Sequence, residues 1–359
     1  MRLNFLEVCL SPDLGGLELC VIDFFDSLSV KTSCNIVVAP NTKLDSRIQS
    51  DAKILLKRSK LFPLLPALKL AKYIDKYEID IVHFHWTRDI TTVVLAKLFS
   101  RRKPKVIQSR HMNMTRFKDD IYHKWLYKNI DIIHAVTKQV EAQLQRFIPT
   151  PRPEIKHIYL GVNQPQIAKK RVEELRKKYM IKDEFIVGIF GRIEEAKGQY
   201  LLLQALSTLK EYQIKALIVG HAMSEKYLQE LEDKIITLDL QDRVIFTGFT
   251  KEINEHILLC DVTVLATKRE TFGLVVIESM GNGVPVIAVN KGGPLEIIDD
   301  EVDSLLFERN SADLAKKIAL LYSDKILLKK LSKNGYDKVN KDFNKEVQMQ
   351  KMYEVFSAC

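Results

Sequence analysis

Residues 270–287 read ETFGLVVIESMGNGVPVI, and the fold follows from how this stretch is parsed. Leu274 to Ile277 is an apolar run opened by Gly273. Gly281 and Gly283 bracket its far end, Pro285 follows, and Val286-Ile287-Ala288-Val289 has the unbroken apolarity of a strand buried on both faces. Glycine just past a helix and proline one to three residues later are stop signals. The parse is loop, helix, tight stop, parallel strand.

Two carboxylates stand eight positions apart in this block. Glu270 falls in the loop ahead of the helix, and Glu278 falls late in the first turn or on the second, near the N-terminal end. That end has free backbone N–H groups and a partial positive charge, so it favours a phosphate. Gly273 lets a ligand approach the backbone closely. A phosphate between two carboxylates suits a sugar nucleotide, whose hydroxyls flank a diphosphate. From spacing alone, an amphipathic helix with Glu278 on its solvated face is as good a reading.

Glu270, seven intervening residues and Glu278, with Phe272-Gly273-Leu274 inside and Gly283-Val284-Pro285-Val286-Ile287 after, resemble the signature of the retaining glycosyltransferases of family 4. The resemblance implies the GT-B fold: two doubly wound, Rossmann-like parallel-sheet domains facing each other across a cleft. It implies transfer of a hexosyl unit from a nucleotide diphosphate sugar, UDP-sugar ahead of GDP-sugar, to a hydroxyl of a glycan or glycolipid such as lipopolysaccharide. Glu278 would then hold the ribose hydroxyls and Glu270 the donor sugar. Phe272, Gly273 and Leu274 would line the donor site.

The rest of the chain fits the same pattern. Residues 3–10 read as a strand, followed by a loop with Gly15-Gly16 and a helix over about Leu19 to Leu28. The glycine pair is not a GxGxxG; in the resembling family this loop faces the donor diphosphate, which makes Gly15 and Gly16 candidates. Asp80 to His85 reads as a buried strand ending in two histidines on one face. Two such imidazoles could hold a metal, but no third ligand at suitable spacing is evident, and no metal site is expected. Lys105 to Gln108 is the next strand, and His111 lies beyond its C-terminal end, where open α/β sheets bind ligands. Its place resembles that of the family histidine that contacts the donor sugar, which makes it, with Glu270, a catalytic candidate. Asp131 to Val136 is a strand, and Thr137 caps a helix over about Lys138 to Phe147. In the second half, Phe185 to Phe190 is a strand followed by Gly191-Arg192 and Lys197-Gly198. Arg grips phosphate oxygens in a fork and Lys adds a point charge. The family's matching arginine and lysine bind the donor diphosphate, so Arg192 and Lys197 are donor-site candidates. No cofactor beyond the donor is expected.

Domains are expected at 1–165, 166–340 and 341–359, the last a helix that in this fold crosses back to the first domain. The 359 residues, 46% hydrophobic and 28% charged, allow two soluble domains. No apolar run approaches the ~20 residues that span a bilayer. Five scattered cysteines fit a reducing cytosol, and no signal-peptide pattern opens the chain. Net charge is +9: residues 1–165 hold 26 Lys and Arg against 16 Asp and Glu, and the remainder 29 against 30. The basic, leucine-rich stretch 53–72, with Pro63 and Pro66 breaking it, suits either an anionic membrane surface or a loop and helix packed on the sheet. A cytoplasmic enzyme, peripheral on the membrane's inner face, follows from the first reading. Three rival readings stand beside it: an NAD-dependent dehydrogenase, for which the first loop lacks the GxGxxG; a GT-B relative with phosphorylase or epimerase chemistry; and a basic, non-enzymatic binding module. No nucleic-acid partner is expected.

Overall fold

The computed structural model describes residues 3–59, 62–164 and 168–358. They form two compact units. One comprises the chain up to Leu160 together with the tail from Glu346, and the other runs from Gly161 to Lys345. The expected boundary at 165/166 lies outside the described residues.

The first unit is built on a seven-stranded sheet: β1 (Asn4–Cys9), β2 (Ser33–Val38), β3 (Lys53–Leu55), β4 (Ile81–Phe84), β5 (Lys105–Arg110), β6 (Ile132–Ala135) and β7 (Glu154–His157). The order is β3-β2-β1-β4-β5-β6-β7, with all pairings parallel. The second unit holds β8 (Phe185–Phe190), β9 (Ile214–Val219), β10 (Val244–Gly248), β11 (Val262–Leu265), β12 (Val286–Val289) and β13 (Leu305–Phe307). They are ordered β10-β9-β8-β11-β12-β13, again all parallel. Each chain winds out on one side of its first strand and returns on the other. The strand order thus reverses between β1 and β4 in one unit and between β8 and β11 in the other, where loops diverge and leave a crevice at the carboxyl ends.

Apolar runs explain the central strands. β4, β6, β8, β11 and β12 are buried at every position because helices cover both faces. The first core gathers Leu6, Val8, Val82, Phe84, Val106 and Ile133 against Leu70, Ile74 and Val93 of the covering helices. The second gathers Val187, Ile189, Ala216, Ile218, Val264 and Ile287 against Leu202, Leu206, Leu314 and Ile318.

Pro66 does not break the stretch 53–72 as the sequence reading had it. Residues 53–55 are a strand, and a helix runs from Leu64 to Lys76 with Pro63 at its N-cap and Pro66 in its first turn. The first N–H groups of a helix have no intrahelical partner, so proline is tolerated there. The expected cap is found: Thr137 Oγ1 accepts from Val140 N at 3.1 Å and starts the helix Lys138–Phe147. At the other end of the chain, the helix Lys345–Ser357 buries Met349, Met352 and Phe356. Among the described residues no helix is long and apolar enough to cross a membrane.

Candidate functional site

In the second unit the candidates gather at the strand reversal. After β8 the chain makes a 3-10 turn, Glu195–Lys197, and then the helix Gln199–Ser207 starts at Gly198. After β11 a loop leads to the helix Leu274–Gly281, which starts at Gly273. The two loops are tied together. Lys268 N donates to Ala196 O at 2.8 Å, and Lys197 Nζ lies 3.6 Å from Glu270 Oε2. Both members of that pair keep about a fifth to a quarter of their side chains exposed, so a ligand can compete for them.

Gly273 adopts φ +101° and ψ +61°, and no side chain caps the helix it opens. A larger residue in that left-handed conformation is strained. The result is a helix start that no side chain caps, beside a cation, which is the arrangement that binds a phosphate. A third loop closes the floor: Gly293 N donates to Glu270 O at 3.1 Å, and a side chain at Gly293 would stand 2.3 Å from Phe272 O. Glu278 is the fifth residue of the helix and half-buried. Arg192 is exposed and paired with Glu194 at 3.0 Å rather than with Glu270. The ring of Phe272 is 3% exposed and edge-on to Phe343, so what it offers a ligand is backbone. Leu274, half-buried, is the first helical residue.

The first unit presents a different chemistry at its own reversal. Gly15 caps the helix Gly16–Lys31, and its N–H already donates to Glu18 Oε2 at 2.8 Å. The Glu18 carboxylate therefore takes this N–H. His111 follows β5, half-buried, with Nε2 3.0 Å from His85 Nδ1. Behind it lies a group that spacing did not disclose. The carboxyl of Glu7, on β1, meets His83 Nδ1 at 2.9 Å and His85 Nε2 at 2.8 Å. Parallel register sets Glu7 beside His83. The third group beside the two histidines comes from the neighbouring strand, so sequence spacing does not show it. Glu7, His83 and His85 offer ligand atoms within 4.8 Å of one another. At 2.8 and 2.9 Å, however, the facing atoms are at hydrogen-bond distance, and hydrogen bonds account for them.

Burial sets the charge of this cluster. It pushes Glu7 above the usual carboxylate range, and contacts with His85 oppose that only in part. It drives His83, His85, His111 and His134 down to about 3, so the rings are neutral at pH 7. Asp89, a second residue the sequence reading passed over, is fully buried just past β4. It accepts from Leu10 N at 2.8 Å, with Arg58 at 3.9 Å, and burial raises it to about 7. Its signal was a lone acid following the strand's two histidines, in His85-Trp86-Thr87-Arg88-Asp89.

Models of two families match the chain: glycosyltransferase family 4 over residues 16–164 and the glycosyl transferases of group 1 over 171–338. A putative glycosyltransferase of Bacillus subtilis, EpsD, is 31% identical over 314 residues, covering 81% of this chain and 79% of the relative. The chain belongs to glycosyltransferase family 4. A Campylobacter jejuni relative is 27% identical over 313 residues, 82% of this chain and 83% of its own. Its name is N-acetylgalactosamine-N,N'-diacetylbacillosaminyl-diphospho-undecaprenol 4-alpha-N-acetylgalactosaminyltransferase. The fold is that of Anabaena HepE, solved with UDP and glucose: 21% identical, TM-score 0.87, all of both chains covered. This family 4 enzyme is thus a glycosyltransferase of the GT-B fold, and the dehydrogenase and binding-module readings fall away.

Proposed function

We propose that this glycosyltransferase takes a hexosyl unit from a nucleotide diphosphate sugar, UDP-sugar first, and transfers it with retained configuration to a hydroxyl of a lipid-linked or cell-surface glycan. The observation that carries the reading is the Lys197–Glu270 pair beside the uncapped helix start at Gly273. Lys197 and the helix N–H groups bind the departing diphosphate, and Arg192 joins them by leaving Glu194. Charge developing on the leaving group is stabilised by fixed cations and dipoles, without a metal or other cofactor. Glu278 holds the ribose, Glu270 the sugar, and His111 a sugar hydroxyl. UDP is carried over from HepE and a diphospho-undecaprenol acceptor from the Campylobacter relative; both are properties of those proteins.

Thermal stabilisation by a panel of nucleotides and nucleotide sugars, on the wild type and Glu278→Ala, tests the donor site. A shift with one uridine donor, lost in the variant, supports it; no shift with any nucleotide sinks it. The anomeric configuration of the product, read by proton NMR, tests retention. Nucleotide release without dependence on free phosphate separates transfer from phosphorolysis.

An acceptor in a membrane fits one further feature. The helix Leu64–Lys76 turns Leu64, Leu65 and Leu68 outward beside the exposed Lys69 and Lys72, and Phe62 ahead of it is 70% exposed. Lys60 lies outside the described residues. Arg58 stacks on Trp86, 4.7 Å from the ring centre, so charge reversal belongs at Lys57, Lys69 and Lys72. Binding to anionic vesicles that survives this triple change removes the membrane reading.

A further inference from the structure

Seven groups of the first unit form one unbranched hydrogen-bonded chain, and its proton count is closed at one end. The Ile158 carbonyl can only accept, so its 2.7 Å contact places the proton of His134 on Nε2. The neutral ring then offers Nδ1 as an acceptor, and Ser109 donates its single hydroxyl proton there at 2.7 Å. Ser109 Oγ in turn accepts from His83 Nε2–H at 2.8 Å. Between His83 Nδ1 and Glu7 Oε1, 2.9 Å apart, lies one proton. Whether it rests on the carboxyl or on the ring, Glu7 Oε2 carries none and accepts from His85 Nε2–H at 2.8 Å. His85 keeps its lone pair on Nδ1, which accepts from His111 Nε2–H at 3.0 Å. His111 is left with a bare lone pair on Nδ1, at the carboxyl end of β5.

The chain is dry. Glu7, His83, Ser109 and His134 are 0% exposed and His85 is 1% exposed. Phe24 lies edge-on to His83 and His85 at 4.9 and 5.1 Å, and Phe356 of the last helix covers His83 at 4.9 Å. A buried donor or acceptor without its partner is costly, so the tautomers are mutually enforced.

We propose that Glu7 is a positioning residue: through His85 it holds His111 as the Nε2–H tautomer, so that His111 Nδ1 accepts a hydrogen bond from a hydroxyl of the bound sugar. The proposal rests on the reading of His111 as a site residue. It makes the carboxyl end of the first unit's sheet a reader of O–H donors.

The test uses the full chain labelled with 15N-histidine. Long-range 15N–1H spectra give the tautomer of each ring, with His111 assigned by the signal lost in His111→Gln. The expected result is the neutral Nε2–H form at His111 in the wild type. Glu7→Gln keeps it, because the amide donates to His83 and its oxygen accepts from His85, and most of the transfer rate remains. Glu7→Leu frees His85 to flip, so the His111 signal moves toward a mixture and the rate falls at least tenfold while far-UV circular dichroism holds. An Nδ1–H form in the wild type, a flipped ring in Glu7→Gln, an unmoved His111 signal in folded Glu7→Leu, or a stoichiometric metal by elemental analysis overturns the relay. Should Glu7→Leu not fold, the wild type and Glu7→Gln still decide. A His111→Ala protein that transfers sugar at the wild-type rate overturns the site reading and the proposal with it, whereas the tautomer spectra, taken without ligand, judge the relay alone.

Discussion

The two sheets reverse their strand order at the same step of construction, yet the side chains there are of opposite kinds. At β8/β11 stand a lysine and a glutamate, each partly exposed, next to an open helix start. At β1/β4 stand imidazoles that burial keeps neutral and a carboxyl whose pKa burial raises, and at the nearby helix start Glu18 accepts from Gly15 N–H. A charged ligand group fits the first and a neutral hydroxyl the second. The scaffold supplies the crevice in each unit, and solvent access to its side chains decides which chemistry it does.

The largest expected effect breaks the charged half. Lys197→Ala lowers kcat by ~10²–10³, the loss typical of removing one group that stabilises a developing oxyanion. Its folding stability changes by less than about 1 kcal/mol, since a partly exposed pair contributes little. Initial rates of nucleotide release and a urea curve give both numbers. A rate within twofold of wild type would show that this cation does not face the leaving group.

The neutral half behaves the other way. Glu7→Leu strands His83 Nδ1 and His85 Nε2–H in a dry core and costs about 2–4 kcal/mol of stability, whereas Glu7→Gln costs about 1 kcal/mol or less. Both tryptophans, Trp86 and Trp125, lie in the first unit, so tryptophan fluorescence in urea follows that unit alone. Equal losses for the two variants would mean that hydrogen bonding at Glu7 is not what holds the cluster.

Most of the charged half was legible in the sequence because it is local. Glu270, Gly273 and Glu278 sit within nine residues, and helix periodicity orders them. Arg192 and Lys197 follow a strand whose apolar run marks its own end. The neutral half was illegible because it is assembled across strands. Glu7 and His83 are 76 positions apart and become neighbours only through parallel register. Ser109 meets His134 by the same rule, two strand pairs further on. One signal was present: a lone carboxylate in the apolar strand LNFLEVCL needs a partner, and HxH puts two imidazoles on one face of another strand. Only the strand order makes those two observations one. Pro66 was misread for a simpler reason, since proline stops a helix in its interior and not in its first turn.

Acid sharpens the comparison further. In the first unit His83, His85, His111 and His134 have folded values of about 3 against an ordinary 6.5. Lowered histidine values mean that the unfolded chain binds more protons below pH 6.5, so their contribution to stability is lost as pH falls from there toward 3. Glu7 and Asp89 are raised, so the folded state binds their protons first and their contribution is lost as pH rises, through about 7 for Asp89. Below pH 6.5 the unfolded chain takes up protons at these four histidines, which outnumber the two raised carboxyls, so the first unit loses stability on acidification. Tryptophan-detected urea curves from pH 7 to 4.5 measure the slope; a flat or opposite one would mean the histidines are not neutral and buried together.

The smallest effect returns to the charged half and asks whether its geometry or its charge matters. Gly273→Ala adds no charge and removes none. Its φ of +101° costs a larger residue about 1–2 kcal/mol, and the new methyl would stand 3.3 Å from Val276 Cγ2 and 3.4 Å from Leu265 Cδ2. The chain relieves this by turning the first peptide of the helix Leu274–Gly281, which moves the N–H groups that face the phosphate. Nucleotide affinity, read by calorimetry, therefore falls further than the loss of stability alone accounts for. If affinity is unchanged while stability drops by about 1 kcal/mol, the helix start is scaffold, and the diphosphate is held by Lys197 and Arg192 without it.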